Sequence, residues 1–172
     1  MMNRILDRFL TIVDTANTWA GKAVSLIIPL IMLIVSYEVI MRYVFRAPTI
    51  WAWDINVQLF ALIVFFGGGY TLLQKGHVNI DILYNRFSPR KKAVFDLITC
   101  PVFFLFFGIL LWKIGAMTLD SIEEREVLST ILAPPIYPLK ILLTIGVFFF
   151  LMQGIAKFIR DFRAVFSKKA KS

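Results

Sequence analysis

AGKAVSLIIPLIMLIVSYEVIMRYV, residues 20–44, is the stretch that settles the fold class. Apart from Lys22, Glu38 and Arg42 it is uncharged. A hydrocarbon core of ~30 Å takes roughly 20 apolar residues to cross as a helix, so this stretch reads as a span, with Trp19 and Tyr43 at its ends and Pro29 as a place for a kink. Three more stretches of the same kind follow, at 51–73, 92–116 and 136–158. The aromatic residues near their ends (Trp51, Trp53 and Tyr70 for the second) fit a belt at the membrane surface. The Ser88-Pro89 pair is a helix start signal for the third span. Pro134, Pro135 and Pro138 make a rigid entry to the fourth.

Working outward, the whole chain of 172 residues is 59% hydrophobic with a mean hydropathy of +0.76, more apolar than soluble domains. Four spans and their connectors use nearly all of it, so the reading is a single membrane domain over 1–172. Residues 3–16 are not a span. Ile5, Phe9, Ile12, Val13 and Ala16 share a helical face broken by Arg4, Asp7, Arg8 and Asp14, which reads as an amphipathic helix over 1–18 at the membrane surface or as a plain extension of the first span. The first apolar run is too long for a signal peptide and has no A-x-A-like end, so the first span reads as an uncleaved anchor. Residues 159–172 form a basic tail.

Charge sets the expected orientation. The 75–92 loop holds Lys75, Arg86, Arg90, Lys91 and Lys92 against Asp81, and the tail holds Lys157, Arg160, Arg163, Lys168, Lys169 and Lys171 against Asp161. The loop between the third and fourth spans is acidic, with Asp120, Glu123, Glu124 and Glu126 against Arg125. The positive-inside rule then places both termini and the middle loop in the cytoplasm. Orientation also accounts for the net charge of +8, so no nucleic-acid partner is expected. The fold class is all-α: an integral membrane four-helix protein, both termini cytoplasmic, with an N-terminal amphipathic helix.

Polar groups inside spans are costly and mark sites of interest. Glu38 and Arg42 lie four apart on the first span, and Asp54 and Gln58 do so on the second. In an antiparallel hairpin the depths match Arg42 with Asp54 and Glu38 with Gln58, predicting an ion pair and a hydrogen bond. One reading makes Glu38 an ion or proton site. The other makes these groups polar glue within the bundle or toward a partner, and Arg42, one turn from Glu38, weighs against cation binding. Gly67, Gly68 and Gly69, the Gly108/Gly115 pair and the Gly146/Gly154 pair read as places of close helix approach. His77 is the only histidine, which rules out bis-histidine haem within one chain and argues against zinc. Cys100, the single cysteine, reads as packing. Asp96, Lys113 and Lys140 lie near span ends, where they can snorkel or pair. With no phosphate loop, nucleophile elbow or zinc-binding helix, neither enzyme activity nor a cofactor is expected.

Glu38-Val-Ile-Met-Arg42-Tyr43-Val-Phe45, then Pro48, Trp51 and Asp54, resembles the first hairpin of the small membrane subunit of tripartite ATP-independent periplasmic (TRAP) transporters. Gly67-Gly-Gly-Tyr, Gly76-His77-Val78-Asn79-Ile80-Asp81 and Ser88-Pro-Arg-Lys-Lys continue the likeness; the C-terminal half matches mainly in pattern. The resemblance implies a bacterial inner-membrane subunit that binds a large polytopic subunit and enlarges its static scaffold. That larger protein would take up an organic acid or similar solute with sodium, delivered by a periplasmic binding protein. On this reading Glu38, Arg42, Tyr43, Trp51, His77 and Asp81 serve packing and subunit contact, and His77 pairs with Asp81. Glu123, Glu124 and Glu126 are candidates for docking the periplasmic protein. The competing reading is a stand-alone ion-coupled exporter acting as a homo-oligomer, with Glu38 as its coupling residue.

Overall fold

Pro29 shapes the first long apolar segment. It lacks the N–H that would bond the carbonyl four residues back, and its ring crowds that carbonyl. In the computed structural model, which describes residues 2–74 and 89–166, the helix breaks just there. α1 (Met2–Ser25) ends and α2 (Ile27–Tyr43) begins, with Leu26 as the joint. Pro29 leaves the Ser25 carbonyl without its helical donor, and the Ser25 hydroxyl turns back to donate to the Lys22 carbonyl at 2.7 Å. α2 ends at a loop in which Arg46 takes a left-handed conformation, φ 53°, and Pro48 prevents the helix from resuming. Then come α3 (Ala52–Leu73), α4 (Pro89–Glu123) and α5 (Tyr137–Phe166). Pro89 and Pro138 sit in first turns, where a missing N–H costs nothing. Pro101 lies inside α4. Ser88, His77, Asp81, most of the basic middle loop and the tail beyond 166 lie outside the described residues.

Four helical segments are long and apolar enough to cross a membrane: Arg4–Tyr43, Ala52–Leu73, Asp96–Glu123 and Tyr137–Arg163. The helices form a row. α2 packs on α3, α3 on α5 and α5 on α4, while α1 lies across α3 and α5. Phenylalanines fill the α4–α5 seam, with the Phe150 ring 5.6 Å from Phe103 and 4.4 Å from Phe107. Glycines admit these rings: a Cβ on Gly68 would stand 2.8 Å from the Phe150 ring, and one on Gly154 would strike Phe103. Gly146 lies against Phe65 and Gly69 against Asn17. Gly67, Gly108 and Gly115 depart from expectation, since a Cβ at any of them would meet nothing among the described residues.

Burial is inverted relative to a soluble protein. Asn17, Asp54, Thr118, Ser121 and Gln153 are buried, while large apolar side chains such as Leu33, Phe60 and Trp112 are exposed. In lipid there is no hydrophobic force between helices, and polar or small groups do the joining. The same logic holds along α1, where Val13 of the expected apolar face packs inward. Ile5 and Ile12 are exposed, and the buried stripe is Leu10, Val13, Asn17, Gly21 and Val24. The helix is rotated toward α5 because its polar groups find partners there. Asn17 Nδ2 donates to Gln153 Oε1 at 3.0 Å, Gln153 Nε2 to Asp14 Oδ1 at 3.1 Å, and Arg163 Nη1 to Asp7 Oδ1 at 2.7 Å. Arg160 pairs with Asp14.

Candidate subunit-contact site

The polar residues singled out on α2 and α3 gather at one end of the row, each acid capped by a threonine from a loop. On α2 the i,i+4 spacing brings Arg42 back over Glu38, with Nη2 at 2.7 Å and Nε at 3.1 Å from Oε1. The other carboxylate oxygen, Oε2, accepts from the Thr49 backbone N–H at 3.1 Å and from the Thr49 hydroxyl. Beside it Tyr37 stacks on Trp51, centroids 6.0 Å apart. Both oxygens of Glu38 are thus occupied by a cation or donors, which leaves no free lone-pair cluster for a metal ion. Among the described residues no group of three or more His, Cys, Asp or Glu side chains is placed to hold one.

These contacts replace both predicted cross-helix pairs. Arg42 is paired with Glu38, not Asp54, because the i,i+4 partner on its own helix is reached without any cross-helix alignment. Glu38 is capped by Thr49, not Gln58. Asp54, 3% exposed, accepts from the Thr130 hydroxyl at 2.6 Å. It lies in the first turn of α3, where the helix dipole favours a carboxylate.

Thr130 arrives from the loop between α4 and α5, which is folded rather than slack. Leu128 N–H donates to the Pro134 carbonyl at 2.9 Å and Ile136 N–H to the Glu126 carbonyl at 3.0 Å. Val127 and Pro135 form an antiparallel bridge. Arg125 and Ala133 take left-handed conformations at the loop's turns, φ 47° and 46°. Of the three acids expected to dock a partner here, Glu123 and Glu124 are exposed. Glu126 is engaged within the chain by Lys140. The Lys140 ammonium, with the Ser121 hydroxyl nearby, holds its carboxyl below the ordinary range.

Between α2 and α3 runs a groove of about 530 Å³. Val35, Val39, Val57 and Phe60 line it, with Glu38, Arg42 and Asn56 as its polar groups and Tyr43 and Trp53 at its rim. Tyr43 is 77% and Trp53 75% exposed. The Arg42 side chain is 56% exposed and that of Glu38 14%. Asn56 Oδ1 is buried without a hydrogen-bond partner. α2 itself has no buried residue. At the other end of the row Lys157 bridges α4 and α5 by pairing with Asp96 and with Asp161 at 2.8 Å. Lys113 lies 5.2 Å from the Trp112 ring.

Sequence reasoning located Glu38, Arg42 and Asp54 but missed their caps Thr49 and Thr130, the orphaned Asn56, and the Asn17–Gln153 contact. A connector threonine carries no periodic signal. Asn17 and Gln153, uncharged amides within helical segments, were the signal available for the last.

A family sequence model described as Tripartite ATP-independent periplasmic transporters, DctQ component, matches residues 31–164. No curated protein and no solved structure matches the chain. The match runs from within α2 almost to the end of α5 and takes in the Glu38–Arg42 pair, the groove and the folded α4–α5 loop. The family is a transporter component, not an enzyme, and with four apolar helical segments it marks a multi-pass membrane protein. Most of the chain being covered, the protein belongs to the DctQ family, the small membrane component of TRAP transporters.

Proposed function

We propose that this chain is an accessory subunit that binds the large membrane subunit of a TRAP transporter and widens its fixed scaffold. The large subunit moves the solute, an organic acid or similar compound handed over by a periplasmic binding protein, with sodium as the coupling ion. The chain sits in the bacterial inner membrane with both termini in the cytoplasm, as its loop charges favour. The observation that carries this reading is α2, an apolar helix with no buried residue that nonetheless bears an ion pair at a groove. Charged groups within spans characteristically face a bundle interior or a water-filled cavity, and a helix of the large subunit packed on α2 would give this pair such an interior. Glu38 then serves structure rather than transport, since Arg42 and Thr49 occupy its carboxylate. Glu123 and Glu124, exposed beside the folded α4–α5 loop, are the acids left to meet the periplasmic protein.

The test is reconstitution of solute uptake in liposomes with the large subunit and binding protein, with and without this chain. Uptake that depends on adding the chain, with no flux from the chain alone, supports the reading. Ion-coupled flux by the chain alone, lost in Glu38→Gln, would instead establish the exporter.

A further inference from the structure

α1 has three faces, and the chain itself covers only one of them. Leu10, Val13, Asn17, Gly21 and Val24 are buried on the side that meets α3 and α5. Ile5, Ile12 and Trp19 recur every seven residues and fall within roughly 40° of one another around a helix of 3.6 residues per turn. They are 68%, 67% and 72% exposed. Arg4, Arg8, Thr11, Thr15 and Lys22, all exposed, occupy the sector beside that stripe. The two acids of α1 are drawn to α5, Asp7 by Arg163 and Asp14 by Arg160. Among the described residues Arg4, Arg8 and Lys22 have no ion-pair partner. The outward side of α1 is therefore apolar along one edge and basic along the next.

The level of α1 says what meets that side. Asn17 packs on Gly69 and Gly21 on Tyr70, so an advance of ~6 Å along α1 matches only ~1.5 Å along α3. α1 crosses α3 there instead of running beside it. The crossing lies ~5 Å along α3 from its end at Leu73, where the basic connector and tail leave the bundle. A helix set across the row at that level lies where hydrocarbon meets headgroups. Apolar side chains bordered by Lys and Arg suit that boundary. A second copy of α1, or the basic tail of this chain, would bring further cations and no counter-charge; headgroup phosphates supply it. We propose that α1 lies in the membrane surface and binds anionic phospholipid. Ile5, Ile12 and Trp19 enter the upper acyl region, and Arg4, Arg8 and Lys22 meet the headgroups. This stands apart from the accessory-subunit reading and does not depend on it.

The experiment uses the full chain, purified from its native membrane with the proteins that accompany it, in nanodiscs of phosphatidylcholine and phosphatidylglycerol. In a Cys100→Ala background, single nitroxide labels are placed at Ile5, Ile12, Thr11 and Thr15. The proposal predicts that labels at Ile5 and Ile12 are relaxed by oxygen more than by an aqueous nickel chelate, at nearly the same depth, with the reverse at Thr11 and Thr15. An upright α1 would put Ile5 ~10 Å closer to water than Ile12 and would overturn it. So would labels at Ile5 and Ile12 shielded from both reagents, since a protein then covers the stripe. A second measurement reads the headgroup. A bimane at Ile12 is quenched by brominated phosphatidylglycerol or by brominated phosphatidylcholine in otherwise equal mixtures. The predicted preference for phosphatidylglycerol is roughly fivefold or more, the effect of one or more basic side chains at an anionic surface. Arg4→Gln, Arg8→Gln and Lys22→Gln together should abolish it. Equal quenching by the two lipids, or a preference that the triple variant keeps, would contradict the proposal.

Discussion

Glu38 shows how local geometry decides a membrane ion pair. The carboxylate could have reached across to α3, but Arg42 stands one turn away on the same helix and Thr49 on the adjoining loop closes the other oxygen. On the proposed function, Glu38→Gln should leave solute uptake intact and lower the yield of assembled complex; loss of uptake with normal assembly would reverse that assignment. Asp54 is the more sensitive acid because it is buried. Thr130→Val deprives it of its donor and should cost about 1–3 kcal/mol, the penalty for an unsatisfied buried group, read as a lower unfolding midpoint in detergent. At Glu126 the sign of the pH effect follows from a carboxyl held low by Lys140. Its contribution to loop order is present at and above the ordinary carboxylate range, about 4.3, and is lost as pH falls through the lowered folded value. Carboxyl NMR titration should place Glu126 below the ordinary carboxylate range, and a midpoint that Lys140→Ala leaves unmoved would show the tether is absent. The acids were legible in the sequence as charges at the wrong depth. Their partners were not, because threonine in a connector looks like any solvated loop residue.

At the scale of the helix, apolar length and proline position were readable and rotation was not. Pro29 marks the α1–α2 joint from sequence because its effect is covalent. Pro29→Ala should restore the bond to the Ser25 carbonyl and raise helix content by circular dichroism, with no change if the break has another cause. The inward side of α1 escaped the hydrophobic pattern because it carries Asn17 and adjoins Asp14, whose partners Gln153 and Arg160 lie far along the chain. Glycine spacing likewise predicted close approach at every pair, yet only some are filled. Gly154→Ala meets the Phe103 ring, whereas Gly108→Ala meets open space. The first should destabilise the isolated chain by about 1–3 kcal/mol, as overpacking does, and the second should be close to neutral. Equal losses would mean that α4 does not pack on α5 as described.

The whole molecule is a row of helices crossed by α1, with polar side chains at its seams and apolar ones outside. The number of spans and the loop charges follow from composition alone, since the bilayer fixes helix length and the translocation machinery reads lysine and arginine. The order of the row could not be read, because apolar helices in lipid carry no signal for which neighbour they choose until a glycine, an amide or an ion pair selects one. On the proposed function, an open row with a barely attached α2 is an assembly part. The most direct measurement is mild-detergent purification of the tagged chain from its native membrane, with native mass spectrometry of the intact complex. The account predicts one large polytopic subunit bound stoichiometrically to this chain. A homo-oligomer of this chain alone would contradict it.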